Sequence, residues 1–524
     1  MPVTHEVASS RLVTPAIITI AKIYESISFF LYFFRQGGAK MSVSKNYFYN
    51  VMLIISNTLF PIITFPYVSR VLMPEYLGKV YFVQGVVAYF LILAVLGVPN
   101  YGIRELSRAK GVGDWVEFKK IHTELLLMSI MSSIGSFLLL LITVNMYGKF
   151  EAEKLTFYIF GAQVLFECFQ INHYFIVMEN HKRRLIRSFT IRILSLGFLF
   201  GFVRKPSDYY IYAALLVIPE IIARLIDVYS TRNQIWWKFG ELNFKRHWKK
   251  TLVIFLYIFT IGIYGSIDTT MLGIMVDDTE VGLYTSAVKL NRMVLPVMLS
   301  LATVLSPRII GSIKRGEKEK LYSQMDLFIN FCFVIGIPVT CLLMILAPEL
   351  VVLFSGERFK DAIFTMQVMM PSLVFLAIGT FLGGQVMLPN DKEREILYIS
   401  ILGVVINIGL NYFMIPQLAR NGAAFATVIT EVIISLVKMV RVKKIYPDYR
   451  IMSRDRYRTI WMGISTSGII IYLQKNISIQ DRFLSLVVNG IIFGAIYFLG
   501  LIVLKNQFVV DGIDMVKRKI SSKV

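Results

Sequence analysis

The chain of 524 residues is 56% hydrophobic and only 17% charged, with a mean hydropathy of +0.63. A soluble globular chain carries roughly 25% charged residues and cannot shield this much apolar surface from water, so lipid is the implied solvent. The formal charge of +21 does not point to nucleic acid, because the basic residues fall in the breaks between apolar runs, where they orient membrane spans.

A spanning helix needs ~20 mostly apolar residues, and the chain offers such stretches in series. Residues 1–40 come first, with an apolar stretch Leu12–Phe34 interrupted by Lys22 and Glu25. No small-residue cleavage site follows it, so an interfacial helix or an upstream extension of a chain starting at Met41 is expected, the second being favoured. Spans are then predicted at Tyr47–Leu72, Val80–Asn100, Ile121–Tyr147, Leu155–Val177, Ser188–Val203 and Tyr209–Ser230. A second group runs Thr251–Met275, Leu283–Ile313, Ser323–Leu346, Ala362–Leu388, Ile396–Ile415 and Gly422–Val440. Thr459–Gln474 and Leu484–Leu504 complete a total of about fourteen. The fold class is therefore all-α and polytopic; alternation of period two, the mark of a transmembrane barrel, is absent.

Lysine and arginine concentrate in alternate breaks: around Arg104 to Lys120, Lys182 to Arg187, Arg232 to Lys250, Lys314 to Lys320, Lys392 and Arg394, Lys438 to Arg458, and the tail. The positive-inside rule then places both ends of the chain in the cytoplasm. No break holds a domain of roughly 50 residues, which argues against a membrane glycosyltransferase or polymerase. The division expected is 41–231 as a first lobe of six spans, 232–250 as a basic linker, and 251–440 as a second lobe. A basic loop, 441–458, leads to two additional spans within 459–524. Weak echoes support two like-oriented repeats: Leu77-Gly78-Lys79-Val80-Tyr81 against Val281-Gly282-Leu283-Tyr284, and Pro99 to Gly111 against Pro307 to Gly316. Such repeats imply a pseudo-twofold axis along the membrane normal with a cavity between the lobes.

An ionisable residue inside a span costs ~2.5–3.5 kcal/mol on insertion scales unless it faces protein or water. The candidates are Arg70, Glu124, Glu167, His173, Arg192, Glu220, Arg224, Asp227, Asp268, Lys289, Arg292, Arg308 and Glu431. Arg70, Glu124, Asp227 and Arg308 are close enough to span ends to snorkel. Glu220 and Arg224, four apart, suit an intrahelical ion pair. Asp268 in the seventh span and Lys289 in the eighth would meet across an antiparallel hairpin, with Arg292 as a surplus cation facing the cavity. Pro61, Pro66, Pro219, Pro296, Pro338 and Pro371 interrupt spans, as ordinary kinks or as bending points of a transporter. Cys168, Cys332 and Cys341 lie in apolar runs without metal or redox spacing. No Gly-x4-Gly-Lys loop or His-Glu-x2-His pair occurs, so neither nucleotide-driven transport nor a catalytic, metal or cofactor site is expected.

The stretch Phe65-Pro-Tyr-Val-Ser-Arg-Val-Leu-Met-Pro-Glu-Tyr-Leu-Gly78 resembles the first hairpin of Wzx-type polysaccharide flippases. These belong to the multidrug/oligosaccharidyl-lipid/polysaccharide exporter superfamily. Further matches are Gly97-Val98-Pro99-Asn100-Tyr101-Gly102 with Arg104, Asp268 with Met271-Leu272-Gly273, Val281 to Tyr284 with Ala287-Val288-Lys289, and Asn421-Gly422-Ala423-Ala424 running to Thr430-Glu431. The resemblance covers Met41 to the end. It implies a transporter of the bacterial cytoplasmic membrane that moves an undecaprenyl-diphosphate-linked oligosaccharide between leaflets through a cationic cavity, for O-antigen or capsule synthesis. The polysaccharide polymerase and chain-length machinery are the implied protein partners. By motif position Arg70, Arg104, Asp268, Lys289 and Glu431 carry over. Arg70, Arg104, Arg192, Lys289 and Arg292 are expected along the diphosphate and glycan path. Asp268, Glu431, Glu220 and Arg224 are the candidates for ion coupling or charge pairing. A cation-coupled multidrug exporter and a lipid II flippase of the same superfamily are the rival readings.

Overall fold

A computed structural model describes residues 41–232, 242–476 and 481–521. The expectation for residues 1–40 lies outside the described residues, as does most of the linker's first half. The described residues are helical throughout, without a strand, and ten of the helices are long and apolar enough to cross a membrane.

The first helix, α1 (Met41–Val95), contains Pro61 and Pro66 and is broken at Met73 (φ 63, ψ 169), just before Pro74. Proline disfavours the helical conformation in the residue before it, so the chain turns there and α1 comprises two helices, one for each of the two predicted spans. The second of those spans ends earlier than expected, at Leu96 and Gly97, both with positive φ. A separate helix, α2 (Val98–Val112), takes the arginines that follow. After α3 (Trp115–Met146) the stretch predicted as one span from Leu155 is divided. It forms α4 (Lys154–Phe166), a single tight turn Glu167–Phe169, and α5 (Asn172–Val177). Then come α6 (His181–Phe202), α7 (Tyr209–Thr231), α8 (Lys245–Met275) and α9 (Asp278–Arg315).

Two later spans carry widened turns. α10 (Lys318–Phe331) passes through a π-helical turn, Cys332–Gly336, into α11 (Ile337–Ile345), whose Pro338 has no N–H to continue the regular ladder. α12 (Ala347–Ser355) lies between. Pro371 then separates α13 (Ala362–Met369) from α14 (Ser372–Phe381), which runs on into a second π-helical turn. The chain ends with α15 (Glu393–Leu418), α16 (Arg420–Ile445), α17 (Arg454–Asn476), α18 (Arg482–Val503) and α19 (Gln507–Ser521).

Helices α1 to α7 pack chiefly on one another, and α9 to α16 do likewise; α1 joins the two groups by running against α8, α9 and α12. We call these groups the first and second lobes. α17 and α18 pack together on α11 and α12. They are pinned beside a cavity of about 360 Å³ by buried Arg456, which bonds Asp326 at 2.5 Å and Asn330 at 2.7 Å on α10. The loops rich in lysine and arginine share one end of the bundle, the basic end; the break at Met73 marks the other.

One helix belongs to both lobes. The Met73 end of α8 packs on α15 and α16 and also on α1, where Tyr89 bonds Thr270 and Gly273 lies on Phe82, and its basic end is held by the first lobe. Gly97 (φ +71) brings the chain against the α8 backbone at Thr251 and Phe255, where a Cβ would stand 2.9 Å from a backbone nitrogen. Beside it the fully buried carboxylate of Glu124 accepts from the Asn243 amide at 2.8 Å, Arg246 at 2.5 Å and His247 Nε2 at 2.7 Å. His247 Nδ1 is 2.9 Å from the Tyr101 hydroxyl. Glu124 is thus no snorkelling residue but a clamp. Without Glu124, Arg246 keeps Glu117, but the Asn243 amide and buried His247 lose their acceptor, at a cost of ~1–3 kcal/mol. Glu124→Ala is therefore expected to lower the thermal unfolding temperature in detergent by several degrees, and a Tm equal to the parent's would refute the clamp.

Candidate functional site

The expected pairing of Asp268 with Lys289 is not made. α8 and α9 are antiparallel about Val276 and Asp277, so residues equally distant from that turn stand at the same height. Opposite Asp268 stands Tyr284, whose hydroxyl donates to Oδ2 at 2.8 Å. Lys289 lies five residues further along α9, about 7.5 Å deeper at ~1.5 Å per residue.

Lys289 instead crosses to the first lobe. Its ammonium bonds the Tyr81 hydroxyl and lies 4.0 Å from the centroid of the Tyr81 ring and 4.8 Å from that of Phe65. Phe65 and Tyr81 stand on either side of the break in α1, and Tyr81 is steadied by the Tyr212 hydroxyl of α7 at 3.2 Å. Ring faces are negative and attract the cation, yet among the described residues no carboxylate forms an ion pair with Lys289. An ammonium with aromatic and hydroxyl neighbours only, at the contact between two lobes, has room in its electrostatics for an incoming anion. Arg292, one turn on, is exposed and makes no ion pair among the described residues.

Asp268 is surrounded by oxygen and amide groups of three other helices. Besides Tyr284, it accepts from Thr427 Oγ1 at 2.6 Å on α16 and from Asn411 Nδ2 at 2.6 Å on α15. Asn411 and its neighbour Asn407 are fully buried, and Asn411 Oδ1 and Asn407 Nδ2 are left without a partner. Buried polar atoms are rarely orphaned; a carboxylate, an unused amide oxygen and a hydroxyl together make the donor set of a small hard cation. One turn before Asp268, Tyr264 donates to Glu431 at 2.8 Å. Arg292 of α9 and Lys438 of α16 both act electrostatically on Glu431. Asp268 and Glu431 therefore line one polar seam of the second lobe, with Lys289 and Arg292 along the adjoining helix.

The remaining candidates lie elsewhere. Arg70 is at the Met73 end, donating to the Leu353 carbonyl at 2.5 Å. Arg104 is exposed at the basic end, 3.5 Å from Glu105 and over the Tyr101 ring. Arg192 stacks on Phe60 at 5.8 Å. The pair of Glu220 with Arg224 is replaced: buried Arg224 bonds Glu167 at 2.7 Å across the lobe while Glu220 is exposed. The divided α4–α5 stretch supplies the reason, since the turn at Glu167 aims its carboxylate at α7. Asp227 pairs with Arg187. Sequence reasoning missed Lys438, counting it among loop charges although it lies well inside α16, along Gly383. It also missed the neutral partners Tyr81, Tyr264, Tyr284, Asn411 and Thr427, whose roles follow only from packing.

Comparison with known proteins accords with this architecture. A curated protein of Shigella dysenteriae described as "Putative O-antigen transporter" is 23% identical over 406 residues, 75% of this chain and 99% of the relative. One of Escherichia coli (strain K12) with the same description is 20% identical over 77% of this chain and 97% of its own. Among solved structures, the lipid II flippase MurJ in an inward closed conformation superposes with a TM-score of 0.66 at 15% identity, covering 88% of this chain and 99% of that one. An inward-facing multidrug resistance MATE family transporter superposes with a TM-score of 0.58 at 18% identity, over 75% and 96% of the two chains. The MatE family matches residues 254–413. Residues 43–312, more than half of the chain, match the family described as polysaccharide biosynthesis protein. The chain thus belongs to the polysaccharide biosynthesis protein family, a multi-pass membrane transporter of the kind its ordered motifs resemble, the Wzx-type flippases.

Proposed function

We propose that this protein carries a polyprenyl-diphosphate-linked oligosaccharide from the cytoplasmic to the periplasmic leaflet of a bacterial inner membrane by alternating access. The observation that carries this reading is Lys289, a cation that pairs with no carboxylate among the described residues and stands where the lobes meet. A diphosphate is a compact dianion; Lys289 supplies a point charge and Arg292, on the same face of α9, a planar fork for a second phosphoryl oxygen. The prenyl tail stays in lipid between the lobes while the glycan passes with the diphosphate. In this reading the chain has fourteen spans with both ends cytoplasmic, the lobes being 41–231 and 251–440. Asp268, with Thr427 and Asn411, holds the coupling cation, and Glu431 tunes the seam. Arg70, Arg104 and Arg192 leave the diphosphate path, each having a neighbour elsewhere. No hydrolytic or transfer chemistry is assigned to the chain.

The test is glycan export in a strain deprived of its own flippase and supplied with a matching glycan pathway. Restoration of surface polysaccharide is expected. Failure to restore it, together with drug resistance conferred by the same protein, would replace this reading with that of a cation-coupled multidrug exporter, for which the Asp268 seam is also chemically suited.

A further inference from the structure

The Met73 end of the lobe interface is built differently from the rest. Gly78, just after the break in α1, lies so close to the start of α9 that a Cβ would collide with the Asp278 carbonyl. Gly282, one turn into α9, lies equally close to α1, where a Cβ would collide with the Pro74 carbonyl. The contact is reciprocal, between the two repeats, and backbone to backbone. Only glycine permits such an approach.

Around this crossing the first lobe reaches into helix ends of the second. Arg70 donates to the Leu353 carbonyl and Ser69 to the Phe354 carbonyl at 3.3 Å, both in the last turn of α12. Gly356 (φ +95) opens the space for the Arg70 stem, since a Cβ there would be 3.1 Å from Arg70 Cγ. Lys149 donates to the Ile274 carbonyl in the last turn of α8. The last four carbonyls of a helix have no amide partner within it and carry its negative pole. Arg70 therefore caps a helix of the second lobe, and Lys149 caps α8, the helix that both lobes share.

We propose that Gly78, Gly282, Arg70 and Lys149 form a latch that holds the Met73 end shut. Resting on the alternating-access reading above, it assigns Arg70 and Lys149 to gating rather than to substrate. Opening that end separates the two glycines and uncaps α8 and α12 together, so the element has two discrete states instead of a range of apertures.

The test is labelling of purified protein in detergent with a polar maleimide, which needs no glycan. The reporter is Ser69→Cys, at a fully buried position in the interface, in a chain whose Cys168, Cys332 and Cys341 are changed to alanine. A methyl group on either latch glycine forces the crossing apart, so Gly78→Ala and Gly282→Ala are expected to speed labelling by about tenfold or more. Gly197→Ala and Gly494→Ala, where the added methyl meets open space, are expected to label at the parent's rate. Arg70→Ala and Lys149→Ala speed labelling to a lesser degree, and Arg70→Lys restores part of the protection. Glycine variants that elute as the parent does and label at its rate overturn the latch. Should the glycine variants fail to fold, unchanged labelling in Arg70→Ala and Lys149→Ala overturns it instead. Either result leaves the flippase reading to the export assay, and a failed export assay leaves the labelling result standing.

Discussion

Lys289→Met is expected to lower glycan export about tenfold or more while leaving the protein folded and no less stable to heat. The ammonium now sits among rings and a hydroxyl, with no carboxylate paired to it among the described residues to offset its desolvation. A methionine side chain of similar length fills the space between Phe65 and Tyr81 at no such cost, and sulfur packs well against rings. Tyr81 keeps its bond to Tyr212, so the substitution leaves no orphaned hydroxyl. What disappears is the charge-assisted contact to phosphate, worth ~1.5–3 kcal/mol, or roughly 10- to 150-fold in binding. Lys289→Arg keeps a cation and is expected to retain a fraction of the export. Surface polysaccharide in the complemented strain and the Tm of the purified variant read the two halves of the prediction separately. Export by Lys289→Met at the parent's level would remove Lys289 from the path.

How much of this was legible before folding depends on what each residue contacts. The apolar stretches announced the helices, because lipid demands ~20 residues of one kind whatever their neighbours. The breaks at Gly97 and Glu167 were not legible, since hydropathy is blind to a turn made for a close approach or a buried ion pair. The intramembrane charges signalled importance but not role. Arg70 looks like any cavity cation in sequence; its partner is a backbone carbonyl, which every residue possesses. Glu220 and Arg224 satisfied a local spacing rule and lost to Glu167, nearer in space and far in sequence. Tyr284 is the instructive case. Reflecting the sequence about the α8–α9 turn places it opposite Asp268, so the correct neighbour was available from helical geometry alone. The echo between Gly78 and Gly282 was visible as a weak repeat, and its purpose emerged only when the two copies were seen to touch.

The second large effect concerns coupling. Asp268→Asn is expected to leave flipping intact without a gradient and to abolish its response to one. Three donors converge on the carboxylate, from Tyr284, Thr427 and Asn411. The substitution removes the charge and turns an amide donor toward one of them, for a stability loss of ~1–3 kcal/mol. Thr427→Val supplies the control, because it removes one neutral ligand and keeps the carboxylate. A tenfold gradient of the coupling cation, at zero membrane potential, delivers ~1.4 kcal/mol for each cation moved, enough for about tenfold accumulation when one cation accompanies each cycle. In ion-tight proteoliposomes the parent should approach that stimulation, Thr427→Val should retain part of it, and Asp268→Asn should show none at an unchanged basal rate. Stimulation undiminished in Asp268→Asn would move the coupling site to Glu431, the buried carboxylate on the same seam. Equal flipping by the parent with and without every gradient would mean that the seam holds the second lobe together and that the glycan's own supply and removal drive the cycle.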